Sequence, residues 1–145
     1  MNDFERHVRA HVIQSLGDTS TAPSAATIAS ALDSSEAEVC LALRYLADEH
    51  RLVLIPGTDS VWMAHPFSAV ATDFLVRIGD RNWYANCVWD GLSILALFGN
   101  GTLDTHSPET KEFMRFSVKE GIVDGDGLVH FLVPAKRFWE DIAFT

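Results

Sequence analysis

Cysteine is scarce: Cys40 and Cys87 are the only two in 145 residues, and they stand far apart in a chain large enough to fold without covalent staples. Both are therefore expected as reduced thiols. No cysteine pair has zinc-finger spacing and the six histidines are scattered, which leaves a structural zinc site without support. Positive charge is also short, with 11 Lys and Arg against 20 Asp and Glu, a formal net charge of -9. Phosphate binding needs clustered cations to displace counterions, so this balance argues against nucleic acid and against anionic membrane surfaces. No apolar run approaches the roughly 20 residues that span a bilayer, and Met1-Asn2-Asp3-Phe4-Glu5 lacks the basic-then-apolar plan of a signal peptide. A cytoplasmic location without membrane partners is the expectation.

What is present is a chain able to bury a core, 48% hydrophobic and 21% charged. Apolar spacing predicts helices over residues 4–16, 24–32 and 36–49, the third preceded by capping residues in Asp33-Ser34-Ser35-Glu36. Strands at 51–55 and 61–64 flank the turn Pro56-Gly57-Thr58-Asp59-Ser60. Three helices and a hairpin make a winged-helix-like pattern. That pattern serves DNA binding in some proteins, but Glu36, Glu38, Asp48 and Glu49 against Arg44 on the third helix would repel phosphate. His65-Pro66-Phe67-Ser68 reads as a connector, because proline ends a strand and pushes its predecessor to extended geometry.

Beyond it, strands over 72–78 and 81–84 meet at Gly79-Asp80, and a buried helix over 86–98 follows, stopped by Gly99-Asn100-Gly101. Further strands are expected at 102–105, 112–118 and 128–133, with a turn at Asp124-Gly125-Asp126-Gly127 and a helix starting near Pro134. The expected fold is α+β, with a winged-helix-like lobe at 1–66 and a mixed β lobe at 67–145 that carries the cysteine-bearing helix.

Cys87 falls in the first turn of that helix, where the helix dipole and free N–H groups favour a thiolate. Asp90 follows three residues later, which sets thiol and carboxyl on one face. Taken alone, Cys-x-x-Asp is a weak motif that better describes a buried cysteine beside a capping aspartate. Cys40, among Val39, Leu41 and Leu43, reads as a core filler. The tryptophans Trp62, Trp83, Trp89 and Trp139 suit a core or the walls of a dry site, and Ser93 has no base in reach.

The wider segment Arg81-Asn82-Trp83-Tyr84-Ala85-Asn86-Cys87-Val88-Trp89-Asp90-Gly91-Leu92 resembles the organomercurial lyase (alkylmercury lyase) family, in which a hairpin enters a Tyr-Ala-x-Cys-x-x-Asp-x-Leu helix. The resemblance continues upstream into the helical lobe and downstream through His106 to Val-His-Phe-Leu-Val-Pro at 129–134. It implies cleavage of a carbon–mercury bond by protonolysis, with Cys87 as a mercury-binding thiolate and Asp90 as proton carrier. Mercury is then substrate and product, no resident cofactor is needed, and the partners are a small organomercurial, low-molecular-weight thiols and a reductase that receives the metal. The family's second catalytic cysteine is expected after Phe138-Trp139-Glu140-Asp141-Ile142-Ala143-Phe144-Thr145, and another family cysteine is replaced by Ser107. The chain is thus expected to be a prematurely ended member or a relative that has lost the full reaction, with an external thiol, His106 or His130 as candidates for the missing ligand. The competing readings are a non-catalytic soft-metal binder, a winged-helix regulator, and a remnant with an inert Cys87.

Overall fold

The computed structural model describes residues 1–142. The last three residues of the expected C-terminal segment, up to Thr145, lie outside the described residues. The chain opens with α1 (Asp3–Thr19), α2 (Ala25–Ala31) and α3 (Glu36–Asp48). Each begins at a polar cap that accepts a backbone N–H: Asn2 from Glu5, Ser24 from Thr27, and Ser35 from Glu38. Glu5 and Glu38 complete capping boxes on the first and third helices, which satisfies donors the helix itself leaves unpaired. Val8, Val12, Leu16, Val39, Leu43 and Leu46 are the buried stripe, at the spacing the sequence predicts.

The strands β1 (Val53–Leu54), β2 (Val61–Ala64), β3 (Phe67–Ser68), β4 (Leu75–Ile78), β5 (Arg81–Ala85), β6 (Gly101–His106), β7 (Phe113–Lys119) and β8 (Ile122–Asp124) form one sheet in the order β1-β2-β3-β5-β4-β6-β7-β8. The class is α+β. Every neighbouring pair is antiparallel, rather than mixed. Between β5 and β6 runs α4 (Val88–Phe98), which packs on β4, β5 and β6.

The segment read as a connector does more than connect. His65-Pro66 is a cis peptide, and Phe67–Ser68 then pairs with both β2 and β5, so the hairpin after α3 is the edge of the same sheet that carries α4. Trp83 on β5 locks the helical end to it. Its ring is fully buried and stacked on Phe98 at 4.9 Å, and its Nε1 donates to the Gly17 carbonyl of α1 at 3.0 Å. An aromatic of this size buries 150–250 Å² or so, and the buried N–H needs such a partner.

Two strand expectations change at the C-terminal side. Residues 128–133 form no strand: Leu128 is 98% exposed, and Val129 and Phe131 turn toward the site described below. Their alternation serves a pocket wall instead of a ladder. The missed strand β8 arises because Glu120 and Gly121 both take positive φ, 54° and 78°, the requirement of a tight hairpin turn between Lys119 and Ile122. Glutamate at the first of those positions is not a turn signal. Near the end a 3₁₀ helix (Ala135–Glu140) follows Pro134. No helix among the described residues is long and apolar enough to cross a membrane.

Candidate active site

Cys87 is not in the first turn of α4 but at its N-cap, with extended backbone (φ −153°, ψ 179°), and its Sγ takes the capping role by accepting the Asp90 backbone N–H at 3.5 Å. Thiol and carboxyl are therefore joined through the first helical turn, as the spacing predicts. Gly91 permits the close seat of α4 on β6: a Cβ there would lie 2.6 Å from Leu103 Cδ1, and Leu103 is fully buried.

Asp90 is buried, at 7% exposure, and both its oxygens are engaged. His65 Nδ1 lies 2.6 Å from Oδ1, and Asn86 Nδ2 donates to Oδ2 at 2.9 Å. His65 reaches the site through strand register. Phe67 pairs with Ala85, so the residue two places before Phe67 comes level with the start of α4. Neither His65 nor Asn86 was singled out from the sequence. Asn86 stands inside the Cys87 phrase and could have been; His65 is 25 residues distant from Asp90, and no local pattern announces that closure. Asn86 Oδ1 is buried and accepts no hydrogen bond among the described residues, the kind of unsatisfied acceptor that costs about 1–3 kcal/mol and concentrates at functional sites.

Electrostatically, the expected thiolate is corrected. Burial pushes the Cys87 thiol up from its ordinary value and the neighbouring Asp90 charge pushes the same way; the N–H groups of Asp90 and Trp89 oppose them but do not prevail. The resting group is a thiol, so a metal that takes the sulfur must displace its proton. His65 moves in the direction of protonation, because its hydrogen bond to Asp90 outweighs its partial burial and the repulsion from Arg9. Asp90 thus sits between a proton-bearing thiol and a histidine that it draws toward protonation.

These groups open into a pocket of about 450 Å³. Trp89, Phe131, Phe138 and Trp139 contribute its aromatic walls, with Trp89 edge-on to Phe131 at 6.2 Å and Phe131 against Phe138 at 5.8 Å. Of the four tryptophans, then, Trp83 is core, while Trp89 and Trp139 are wall. His130 lines the pocket; His106 does not, and instead contacts Asp73 Oδ1 at 2.6 Å. Ser107 accepts a hydrogen bond from the Thr110 N–H in a turn away from the lining. Ser93 donates to the Trp89 carbonyl and has no catalytic geometry. Cys40 is corrected from core filler to a half-buried residue beside Asp59, outside the pocket. Among the described residues no group of three His, Cys, Asp or Glu is arranged to hold a metal ion, and Cys87 is the one cysteine in the pocket lining.

Comparison with known proteins gives this arrangement a context. Among solved structures, the chain is similar to one described as the mercury-bound form of MerB2, at 16% identity and a TM-score of 0.66, over 86% of this chain and 59% of that one. At that identity the likeness concerns the fold, and the chain spans 59% of that protein's length. No curated protein matches the sequence. A model of the MerB, or alkylmercury lyase, family matches residues 67–145, just over half of the chain and the part that contains Cys87, Asn86 and Asp90. The chain therefore belongs to the alkylmercury lyase family.

Proposed function

We propose that this protein cleaves carbon–mercury bonds by protonolysis, with Cys87 as mercury acceptor and Asp90 as proton donor. The observation that carries the reading is the buried Asp90 carboxyl one helical turn from the Cys87 sulfur, both lining an aromatic-walled pocket. Soft mercury(II) prefers sulfur to oxygen or nitrogen. In the first step the Sγ–Hg bond forms, the Hg–X bond of R–Hg–X breaks, and the thiol proton passes to Asp90. In the second, the Hg–C bond breaks, its electron pair takes the Asp90 proton, and R–H departs. Mercury(II) stays on Cys87 until an external thiol removes it. His65 and Asn86 hold the carboxyl by its two oxygens, so that its reach to the bound carbon is fixed before substrate arrives.

A second reading has its own support. The pocket lining holds one cysteine, since Cys40 lies elsewhere, and paired thiolates weaken a carbon–mercury bond more than one does. On this reading the protein captures organomercurials without cleaving them. Incubation with a phenylmercury salt and excess small thiol separates the two. Benzene release that disappears in Cys87→Ser and Asp90→Asn establishes a lyase, whereas stoichiometric binding to Cys87 without benzene establishes capture.

A further inference from the structure

We propose that the pocket selects organomercury compounds that carry a carboxylate, received by Arg9 and Arg51. This rests on Cys87 as the mercury-binding thiol but not on cleavage.

The chain as a whole carries a formal charge of -9, yet its pocket has the opposite character. Arg9, His50, Arg51, His65 and His130 all line it, and Asp90 is the one acidic side chain among the lining residues. That single carboxyl is already engaged by His65 and Asn86. Neither Arg9 nor Arg51 forms an ion pair with any described residue. Arg9, on α1, donates from Nε to the Arg51 carbonyl at 3.4 Å, which brings the two residues together at one side of the opening. Asp48, Glu49 and Glu140 are outside the lining: Glu140 takes Arg137 at 2.7 Å, and Glu49 and Glu5 act with Arg51 on Tyr45 without an ion pair to Arg9 or Arg51. Arg9 also opposes protonation of His65, so its charge is felt within the site.

Two guanidinium groups without carboxylate partners at a partly enclosed opening attract an anion, and their planar donors match a carboxylate in bidentate geometry. The aromatic walls specify the rest of the occupant. Trp139 stacks on His50 at 4.3 Å with ring planes 8° apart, and Trp89 stands across the site against Phe131. A flat aryl group suits such walls, and a pocket of about 450 Å³ has room for a ring, its substituents and the mercury. The carboxylate could stand on the aryl group or on the thiol that carries mercury into the site; the chemistry recognised is the same.

Capture itself measures this selectivity. The Cys87 Sγ–Hg bond forms as Hg–Cl or Hg–S breaks, chloride or thiolate departs as the anion, and the thiol proton passes to Asp90, with no change of oxidation state. In the full chain bearing Cys40→Ser, the rate of Cys87 mercuration is followed by mercaptide absorbance for two pairs. The first is p-chloromercuribenzoate against phenylmercury chloride; the second is phenylmercury carried on mercaptoacetate against phenylmercury carried on mercaptoethanol. Each rate is divided by that of an uncharged cysteine amide in solution. A preference of roughly tenfold for the carboxylate member is expected in at least one pair, falling as salt rises, and the pair that shows it identifies where the carboxylate stands. Arg9→Gln with Arg51→Gln should bring the ratio to about one, while Arg9→Lys with Arg51→Lys, which keeps both charges, should retain most of it. Equal normalised rates in both pairs would overturn the proposal, as would a preference that survives the glutamine substitutions. Failure of every compound to modify Cys87 would remove the mercury reading and this proposal together.

Discussion

The molecule contains two cysteines with nearly the same company, and only one of them lines the aromatic pocket. Cys40 on α3 stands beside Asp59, whose other partner is Arg44 at 2.6 and 2.7 Å; Cys87 on α4 stands beside Asp90, whose other partners are His65 at 2.6 Å and Asn86 at 2.9 Å. Both thiols are pushed up by burial and by the adjacent carboxyl. The difference lies in enclosure and in which base holds the aspartate. Asp59 is shared with an always-charged guanidinium at the open surface, while Asp90 is buried and shared with a group that can exchange a proton. A thiol, a carboxyl and a base in contact do not amount to a reactive centre until a pocket brings substrate against them.

The largest expected effect tests that distinction directly. Cys87→Ser should lower turnover or capture of a phenylmercury salt by about a thousandfold or more, and Cys40→Ser should leave it near wild type. Equal losses would mean that enclosure does not separate the two thiols. Next, Asp90→Asn should reduce benzene release by about 10²–10⁴-fold with mercury binding retained, the size expected for removal of a general acid, whereas Asp59→Asn should change neither. Electrospray mass spectra of the mercurated proteins read the binding half of this prediction independently of turnover.

A smaller effect concerns the support beneath each thiol. The first turn of α4 rests on Leu103 through Gly91, so Gly91→Val forces a buried contact and should cost about 1–3 kcal/mol in denaturant unfolding. Ala37, the corresponding solvent-facing position near the start of α3, tolerates Val with a change within about 0.5 kcal/mol. A neutral Gly91→Val would show that α4 can retreat from β6, and its activity would then report how much Cys87 depends on that seat.

The sequence carries local information well and closure poorly, and the same two regions show why. The three N-terminal helices, the Gly79-Asp80 hairpin and the Cys87–Asp90 helix follow from periods, caps and turn residues within a dozen positions of one another. Cys87 missed its position by one residue because an N-cap and a first turn share the same signals. His65 looked like a linker because its role depends on β3 pairing with β5, a register set by residues nearly 20 positions apart. Residues 128–133 alternate like a strand, yet the sheet edge at β8 is not extended by them and the apolar side chains close a pocket. Cys40 showed the reverse error: apolar neighbours in sequence suggested burial, while α3 turns it toward Asp59. The raised thiol at Cys87 likewise depends on burial, which opposes the helix-end effect that sequence alone suggests.

The smallest predicted effect uses the different bases in the two clusters. His65 is drawn toward protonation by Asp90, so its folded value lies above the ordinary one. A raised group contributes stability that is fully present below its unfolded value, about 6.5, and is lost as pH rises through the folded value. Its side chain is 66% exposed, so solvent screening keeps the contribution modest. Asp59 is held below its ordinary value by Arg44, and its contribution is present above the unfolded value and lost only as pH falls through the lowered one. As pH rises from the unfolded value through the raised folded one, therefore, the His65–Asp90 cluster changes and the Arg44–Asp59 cluster does not. Thermal melts of His65→Ala should fall below wild type at the acid end of that window and converge with it at the alkaline end; Arg44→Ala should show a constant difference throughout. A His65→Ala difference that persists undiminished at the alkaline end would mean that neutral imidazole holds Asp90 as well as imidazolium does, and the two clusters would then differ in enclosure alone.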